Sequence, residues 1–231
     1  MRANQRSHSL LRVHDRMDEP VCPICLEPER MIPARLFIDD RPSVCAACRK
    51  RFKPHKRSYA VDGVVFHVLY EYEEWIETLF FQYKEQRDVA LKDVFLEGEA
   101  SALRKKLRSF QCVAVCSSEA KRAERGFEPV LDIFSSLNLP LESPFYRVGG
   151  QKQSTLSASA RRSIQMVLRR KRHYPLPPAK KRILLDDVLT TGSTIQAALT
   201  LLPCEAVLVV AAHPLWIQTH RHERIKSRFW K

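Results

Sequence analysis

The sequence predicts an α/β protein in which a mostly parallel sheet is flanked by helices and preceded by a small, cysteine-rich N-terminal domain. From Val61 onward, apolar runs of strand length alternate with amphipathic segments of helical length, a pattern typical of parallel sheets covered by helices. Upstream, nineteen residues separate two Cys-x-x-Cys pairs, a spacing typical of four-cysteine zinc sites. We therefore expect a basic tail over residues 1–18, a zinc domain over 19–58 and an α/β domain over 59–231.

The composition is that of a folded protein with an excess of positive charge. Hydrophobic residues make up 45% of the 231 residues, and 39 Lys and Arg against 26 Asp and Glu leave a net charge of +13. Such an excess favours polyanionic partners, either nucleic acid or phosphorylated metabolites. The longest apolar stretch, 197–212, is interrupted by Thr200, Pro203 and Glu205, so we expect no membrane insertion. Residues 1–20 contain no apolar block of signal-peptide length, so we expect a cytoplasmic protein.

The four cysteines of the two pairs, Cys22, Cys25, Cys45 and Cys48, are the candidate metal ligands. Two residues between ligands allow a tight turn to direct both sulfurs at one ion, and four thiolates complete the tetrahedral coordination of structural Zn²⁺. A segment of about forty residues buries too small a core on its own, so the metal would hold it together. Four buried thiols acting as small hydrophobes, or a redox-active pair, are the alternatives.

A basic segment directly follows the second pair. Residues 49–57 carry six positive charges with one aromatic residue, Phe52, among them. This composition is typical of a nucleic-acid contact, for which the candidates are Arg49, Lys50, Arg51 and Lys53. A solvated linker between the two domains explains the same charges equally well.

The main domain is predicted to alternate strands and helices along the chain. The predicted strands are 64–70, 111–116, 182–186 and 206–212. The predicted helices are 73–86, 88–107, 127–137 and 193–202. The remaining cysteines, Cys112, Cys116 and Cys204, lie in apolar surroundings and are predicted to belong to the core.

The strand at 182–186 continues into two adjacent acids, Asp186 and Asp187, then a hydroxyl-rich turn and a helix. The free N–H groups and the dipole of a helix N-terminus bind a phosphate monoester. The carboxylates would repel that phosphate unless they had their own partners, which the hydroxyls of a sugar supply. The pattern therefore predicts a phosphorylated pentose as ligand. The candidate phosphate ligands are Thr190, Thr191, Gly192, Ser193 and Thr194.

Residues 183–194 resemble the phosphoribosyl pyrophosphate (PRPP) signature of type I phosphoribosyltransferases. Other features, in the same order along the chain, resemble the ComF competence family, and the resemblance covers roughly residues 20–215. They are the four-cysteine domain, Phe81-Gln82-Tyr83-Lys84 followed by Asp88, Arg125-Gly126-Phe127, and Gln153-Ser154-Thr155-Leu156-Ser157 followed by Arg161.

The resemblance implies a cytoplasmic, zinc-containing protein with a type I phosphoribosyltransferase-like fold. It also implies that the protein acts with the ComFA helicase-like ATPase in the uptake or handling of single-stranded DNA during natural transformation. It assigns Asp186 and Asp187 to the ribose hydroxyls, Thr190 to Thr194 to the 5-phosphate, and Arg125 to pyrophosphate.

Two functions are compatible with this resemblance. We favour a binding module that senses PRPP or a nucleotide 5-phosphate while the zinc domain and the basic segments contact DNA or the helicase. The alternative is an active phosphoribosyltransferase, in which Mg²⁺ would bridge diphosphate and ribose oxygens and Asp186 and Asp187 would stabilise developing charge on the sugar. The sequence does not identify an acceptor for that reaction.

The chain departs from the family pattern near the expected pyrophosphate. Residues 114–118 read Ala-Val-Cys-Ser-Ser where the family usually has a proline-containing strand end. Glu128 follows the Arg-Gly-Phe motif, and Ser163 stands where the family often has Asn. These departures put an acid near the expected diphosphate and affect its predicted contacts.

Overall fold

The structure, a computed structural model, describes residues 21–28, 43–148, 167–172, 174–175 and 181–231. The predicted tail over 1–18, the Gln153 to Arg161 motif and Ser163 lie outside the described residues. The described chain forms a seven-stranded, mainly parallel sheet in the order β4-β3-β7-β8-β2-β1-β9 and a separate two-stranded hairpin, β5-β6. The predicted fold class, a mostly parallel sheet flanked by helices, is confirmed.

The strands from β4 to β2 in this order are parallel, and β1 and β9 are added antiparallel at one edge. The strands are β1 Pro54–Val61, β2 Val64–Glu71, β3 Gln111–Ala114, β4 Leu141–Glu142, β5 Phe145–Val148, β6 Val167–Arg170, β7 Arg182–Leu189, β8 Ala206–Ala212 and β9 Arg224–Ile225.

Helices cover both faces of the sheet. The α-helices are α1 Ala46–Arg51, α2 Glu74–Lys84, α3 Ala100–Leu107, α4 Glu119–Arg125, α5 Pro129–Ser135, α6 Ser193–Leu201 and α7 Pro214–Thr219. Short 3₁₀ turns lie at Val89–Leu91, Arg221–Glu223 and Arg228–Trp230.

Each central strand divides its apolar residues between two cores because successive side chains point to opposite faces. In β7, Ile183 and Leu185 pack in one core with residues of α2, α3 and α5, whereas Leu184 packs in the other with residues of α6 and α7. The predicted core cysteines are all buried, with Cys112 and Cys116 on opposite sides of the sheet. Burial on both faces explains why these strands read as continuous apolar runs.

The structure corrects the predicted helix over 88–107. Asp88 caps a 3₁₀ turn instead, by accepting from the N–H of Ala90 at 3.3 Å, and the helix begins only at Ala100. Three consecutive residues, 94–96, are all buried. A single helix turned towards the core on one side cannot bury three successive side chains, so the chain forms turns there.

The basic segment also differs from a solvated linker. Its first residues form the end of α1, and its last residues open β1, which pairs antiparallel with β2. The sheet therefore begins at Pro54, before the expected domain limit at residue 59. Phe52, between the two elements, packs its ring against Tyr70 and Trp75, with centroids 5.5 and 6.4 Å away.

Candidate functional site

A cavity of about 400 Å³ opens at the edge of the sheet where β3 and β7 end. Its volume lies within the range of small-molecule sites, and the carboxyl ends of parallel strands are the usual position for them. The cavity brings together Asp186, Asp187, Arg125, Thr190 and Thr194 from the sequence prediction. The other polar residues that line it are Tyr72, Lys84, Glu85, Ser117, Ser118, Lys121 and Arg147.

A second, smaller cavity of about 40 Å³ lies in the turn between β7 and α6. All five predicted phosphate ligands, residues 190–194, line it. The residues that line both cavities are Asp186, Val188, Thr190 and Thr194. The acids and the turn therefore belong to one continuous site.

The acidic pair lies inside β7 rather than at the strand end that the sequence predicted. β7 extends to Leu189, and Asp186 pairs in register with Val209 of β8. Asp186 is only 8% exposed. The strand continues past the acids because Val188 and Leu189 still pair with residues of β8.

The two acids have different partners. The Asp187 carboxylate binds the ammonium of Lys84 at 2.7 Å, with side-chain exposures of only 13% and 18%. The Asp186 carboxylate accepts the N–H of Asp187 at 2.9 Å. Burial, followed by the negative charge of Asp187, raises the pKa of Asp186 to about 7. The pair therefore combines Asp187, which is ion-paired with Lys84, and Asp186, which holds a proton readily near neutral pH.

The phosphate turn has the geometry of an anion-binding helix start. Gly192 has φ +80°, the left-handed conformation that favours glycine, and α6 begins at the next residue. The first N–H groups of a helix have no partner within it and are available to an anion. The hydroxyls of Thr191 and Ser193 lie 3.1 Å apart at its mouth.

Arg147, which the sequence analysis did not single out, connects the two sides of the pocket. It extends from β5, and its guanidinium donates to the carbonyl of Cys116 at 2.9 Å and to the hydroxyl of Thr194 at 3.1 Å. These partners lie on the strand end after β3 and on the phosphate turn, respectively. No local pattern marks Arg147, because its neighbours in the pocket are distant in sequence. Lys84, by contrast, belongs to the Phe81-Gln82-Tyr83-Lys84 motif, which could have identified it.

Another side of the pocket is formed by residues 116–118 and by Lys121 and Arg125 of α4. Here the departure noted at Glu128 has a structural counterpart. The Glu128 carboxylate accepts the Ser117 N–H at 3.0 Å through each oxygen and the Ser117 hydroxyl at 2.8 Å. Burial is the main cause that raises the pKa of Glu128. The N–H of Ser117, in the loop where pyrophosphate is expected, is thus already bonded to Glu128.

Arg125 ends α4 and lines the same side of the pocket. Its guanidinium forms an ion pair with Glu85, and only 9% of its side chain is exposed. Arg125, the predicted pyrophosphate ligand, therefore lines the same cavity as the acidic pair, but its charge is already paired with that of Glu85.

The four candidate metal ligands form a cluster at the N-terminal side of the described chain. One ligand atom from each of Cys22, Cys25, Cys45 and Cys48 lies within 4.8 Å of all the others. The Sγ atoms of Cys25 and Cys45 are 3.8 Å apart, which matches about 3.8 Å, the edge of a tetrahedron with Zn–S bonds of about 2.3 Å. Although burial opposes it, the N–H groups of Cys45, Cys25 and Ile24 lower the pKa of Cys22 to about 7. The cluster therefore fits a zinc ion in donor type, number and spacing.

Glu97 attaches this cluster to the α/β domain. Its carboxylate accepts the N–H of Val44 at 3.1 Å and the hydroxyl of Ser43, and it lies 3.6 Å from Arg49. Both residues 43 and 44 directly precede the second cysteine pair, so the metal site and the sheet domain share a polar contact.

The four candidate nucleic-acid contacts are all exposed, although three of them have partners. Arg49 donates to the carbonyl of Val44 at 2.6 Å, Arg51 lies 3.4 Å above the ring of Trp75, and Lys53 is 3.5 Å from Glu73. These contacts hold the segment against the fold while leaving its charges at the surface.

Among the described residues, none of the helices is long and apolar enough to cross a membrane. No family model matches the chain. The chain is similar to "Competence protein ComFC" of Streptococcus pneumoniae (strain ATCC BAA-255 / R6), with 25% identity over 188 residues. The alignment covers 81% of this chain and 76% of that relative. The resemblance to the ComF competence family found in the sequence is thereby confirmed.

Proposed function

We propose that this chain, whose similarity to ComFC supports its assignment to that family, is a cytoplasmic competence protein with a ribose-phosphate pocket. The pocket binds PRPP or a nucleotide 5-phosphate, and the protein supports the uptake or handling of single-stranded DNA in natural transformation. The observation that carries this proposal is the meeting of an acidic pair and a hydroxyl-lined helix start in one cavity.

The two halves of the ligand would occupy different parts of the site. The 5-phosphate would bind the turn at residues 190–194, where helix N–H groups and hydroxyls converge. The ribose hydroxyls would donate to Asp186 and Asp187, and a hydrogen bond to a charged group contributes about 1.5–3 kcal/mol. Lys84 keeps the Asp187 carboxylate in place by pairing with one of its oxygens. Arg147, already bonded to Thr194, would reach the phosphate with a small movement.

An active phosphoribosyltransferase is the second candidate, supported by the position of the acidic pair beside the expected sugar. Asp186 and Asp187 would stabilise positive charge that develops at the anomeric carbon. Mg²⁺, when bound with PRPP, would neutralise the diphosphate as it leaves. Asp187 offers the carboxylate type that Mg²⁺ prefers.

The remaining parts of the proposal concern metal and partners. The cysteine cluster would hold one structural Zn²⁺, which supplies no chemistry to the pocket because four thiolates leave no open coordination position. The proposed macromolecular partners are single-stranded DNA and a ComFA-type ATPase, both taken from the family resemblance.

Isothermal titration of the full chain with ribose 5-phosphate and with PRPP plus Mg²⁺ tests the ribose-phosphate pocket. At least one of the two ligands should bind, and the Asp186→Ala/Asp187→Ala variant should lose that binding. Glu74→Gln, which removes an exposed acid from the start of α2, should bind like the parent. Circular dichroism would verify that the double variant is folded. Unchanged affinity in a folded double variant would place the ligand elsewhere, and release of pyrophosphate from PRPP would favour the enzyme.

A further inference from the structure

Glu128 reduces the number of free hydrogen-bond donors on the side of the pocket where a diphosphate is expected. Backbone N–H groups in a loop after a parallel strand form anion-binding positions. In this chain the N–H and the hydroxyl of Ser117, which lines the pocket, both donate to the Glu128 carboxylate at 2.8–3.0 Å. Glu128 is 8% exposed and lies behind the loop. The N–H and the hydroxyl of Ser117 are therefore already used by a buried carboxylate outside the cavity and are not available to an incoming anion.

The charges around the cavity point in the same direction. Within the described part of the chain, the basic residues that line it are Lys84, Lys121, Arg125 and Arg147, and the acids are Glu85, Asp186 and Asp187. Glu128 behind the wall supplies one further acid. Two of the cations are consumed by ion pairs, Lys84 with Asp187 and Arg125 with Glu85. The pocket as a whole thus offers little net positive charge to a highly charged ligand.

The phosphate turn is different. The described residues that line the smaller cavity include one acid, Asp186, whose carboxylate accepts the N–H of Asp187 and no donor of the turn. Arg147 is bonded to the neutral hydroxyl of Thr194. One phosphate monoester can therefore bind at this end without competing with a carboxylate for its donors. The two ends of the site therefore differ: the donors of the monoester position are open, whereas those of Ser117, where the diphosphate is expected, are already used by Glu128.

We propose that the pocket is selective for ribose 5-phosphate monoesters that carry no diphosphate at C1, and that Glu128 is the residue that sets this selectivity. The class includes ribose 5-phosphate and ribonucleoside 5′-monophosphates. This inference rests on the proposed ribose-phosphate function and narrows its substrate class. The diphosphate of PRPP adds nothing to binding, because Ser117 is committed to Glu128 and two of the four cations that line the cavity, Lys84 and Arg125, are paired with acids.

Ribose 5-phosphate and PRPP differ only in the diphosphate, so the ratio of their dissociation constants measures what the diphosphate contributes to binding. In titrations of the full chain with excess Mg²⁺, PRPP should bind no more tightly than ribose 5-phosphate. Glu128→Gln keeps the size of the side chain and removes its charge. This variant should bind PRPP at least tenfold more tightly, while its affinity for ribose 5-phosphate should change less than twofold.

Glu124→Gln is the matched control, because it removes one exposed acid from α4 at the same cost in net charge. It should leave the ratio of the two affinities unchanged. PRPP binding tenfold or more tighter than ribose 5-phosphate in the parent overturns the inference, and so does an unchanged ratio in Glu128→Gln. The comparison in the parent decides the question even if Glu128→Gln does not fold. Failure of both ligands to bind would instead reject the ribose-phosphate function itself.

Discussion

Asp186 is a carboxyl group in a position that suits its neutral form. Its side chain is nearly buried in β7, and Lys84, which lines the same cavity, pairs with Asp187 instead. Desolvation disfavours the ionised form, and the adjacent charge of Asp187 adds to this effect. A ligand hydroxyl would meet an acid that can either donate or accept near neutral pH.

This environment predicts that Asp186→Asn stabilises the protein in a pH-dependent manner. Between its ordinary pKa of about 4 and its folded value of about 7, the folded protein holds a proton that the unfolded chain releases. The stability contributed by Asp186 is therefore complete below pH 4 and is lost progressively as the pH rises from 4 through 7. Asparagine keeps the shape and the acceptor oxygen but does not ionise. The variant's advantage should grow by roughly 2–4 kcal/mol between pH 4 and pH 8.

Denaturant unfolding of the two proteins at several pH values measures this difference. Glu74→Gln, an exposed change in α2, should show no comparable trend. A stability difference that stays constant from pH 4 to pH 8 would mean that Asp186 ionises normally.

At the scale of elements, the central strands were predictable and the edges of the sheet were not. Residues 66–70 and 206–212 are buried on both faces, so the apolar runs that contain them are recognisable as strands without reference to the rest of the chain. β1 lies near the edge, with only Ser58 and Tyr59 buried, and its charged first half hides it from a hydrophobic pattern. Sequence patterns report burial, and edge strands have little of it.

The candidate site divides in the same way. The acids and the phosphate turn are contiguous in sequence, so residue types alone predicted that they would form one wall of a pocket. Another wall comes from 116–118, and Arg147 comes from β5. Their approach to β7 is a consequence of strand order, in which β3 lies next to β7. No local spacing encodes that neighbourhood.

The cysteine cluster is an element whose stability we expect to depend on metal. Elemental analysis of the purified chain should give one zinc per molecule, and Cys22→Ser/Cys45→Ser should contain none. Because structural zinc contributes about 10–16 kcal/mol of apparent binding free energy in finger peptides, the N-terminal segment of this variant should unfold and become sensitive to protease. Cys204→Ser, which changes a buried cysteine outside the cluster, should retain the metal. Parent protein without zinc, or a double variant that keeps it, would contradict the assignment.

For the whole molecule, the net charge of +13 is not concentrated in the pocket. Acids and bases are balanced around the cavity, whereas the segment from Arg49 to Lys53 presents four exposed cations. Surface pairs such as Lys53 with Glu73 contribute little, about 0–1 kcal/mol, so a phosphate can displace them. A small ligand and a nucleic acid would therefore use separate surfaces of the protein.

The salt dependence of binding to single-stranded DNA tests this separation. The logarithm of the affinity should fall with the logarithm of the salt concentration at about −0.7 per neutralised phosphate, with little dependence on base sequence. Replacing Arg49, Lys50, Arg51 and Lys53 by Ala should flatten the slope by about two units if three of these residues contact phosphates. Phe52→Ala should weaken binding by less than stacking on a base contributes, about 1–3 kcal/mol, because the ring packs against Tyr70 and Trp75.

A second variant, which replaces three other exposed cations, serves for comparison. Its residues are Arg169, Arg170 and Arg172, on and after β6. A parental slope in the first variant together with a flattened slope in the Arg169→Ala/Arg170→Ala/Arg172→Ala variant would move the DNA contact to the β5-β6 hairpin, and parental slopes in both would assign DNA handling to a partner protein.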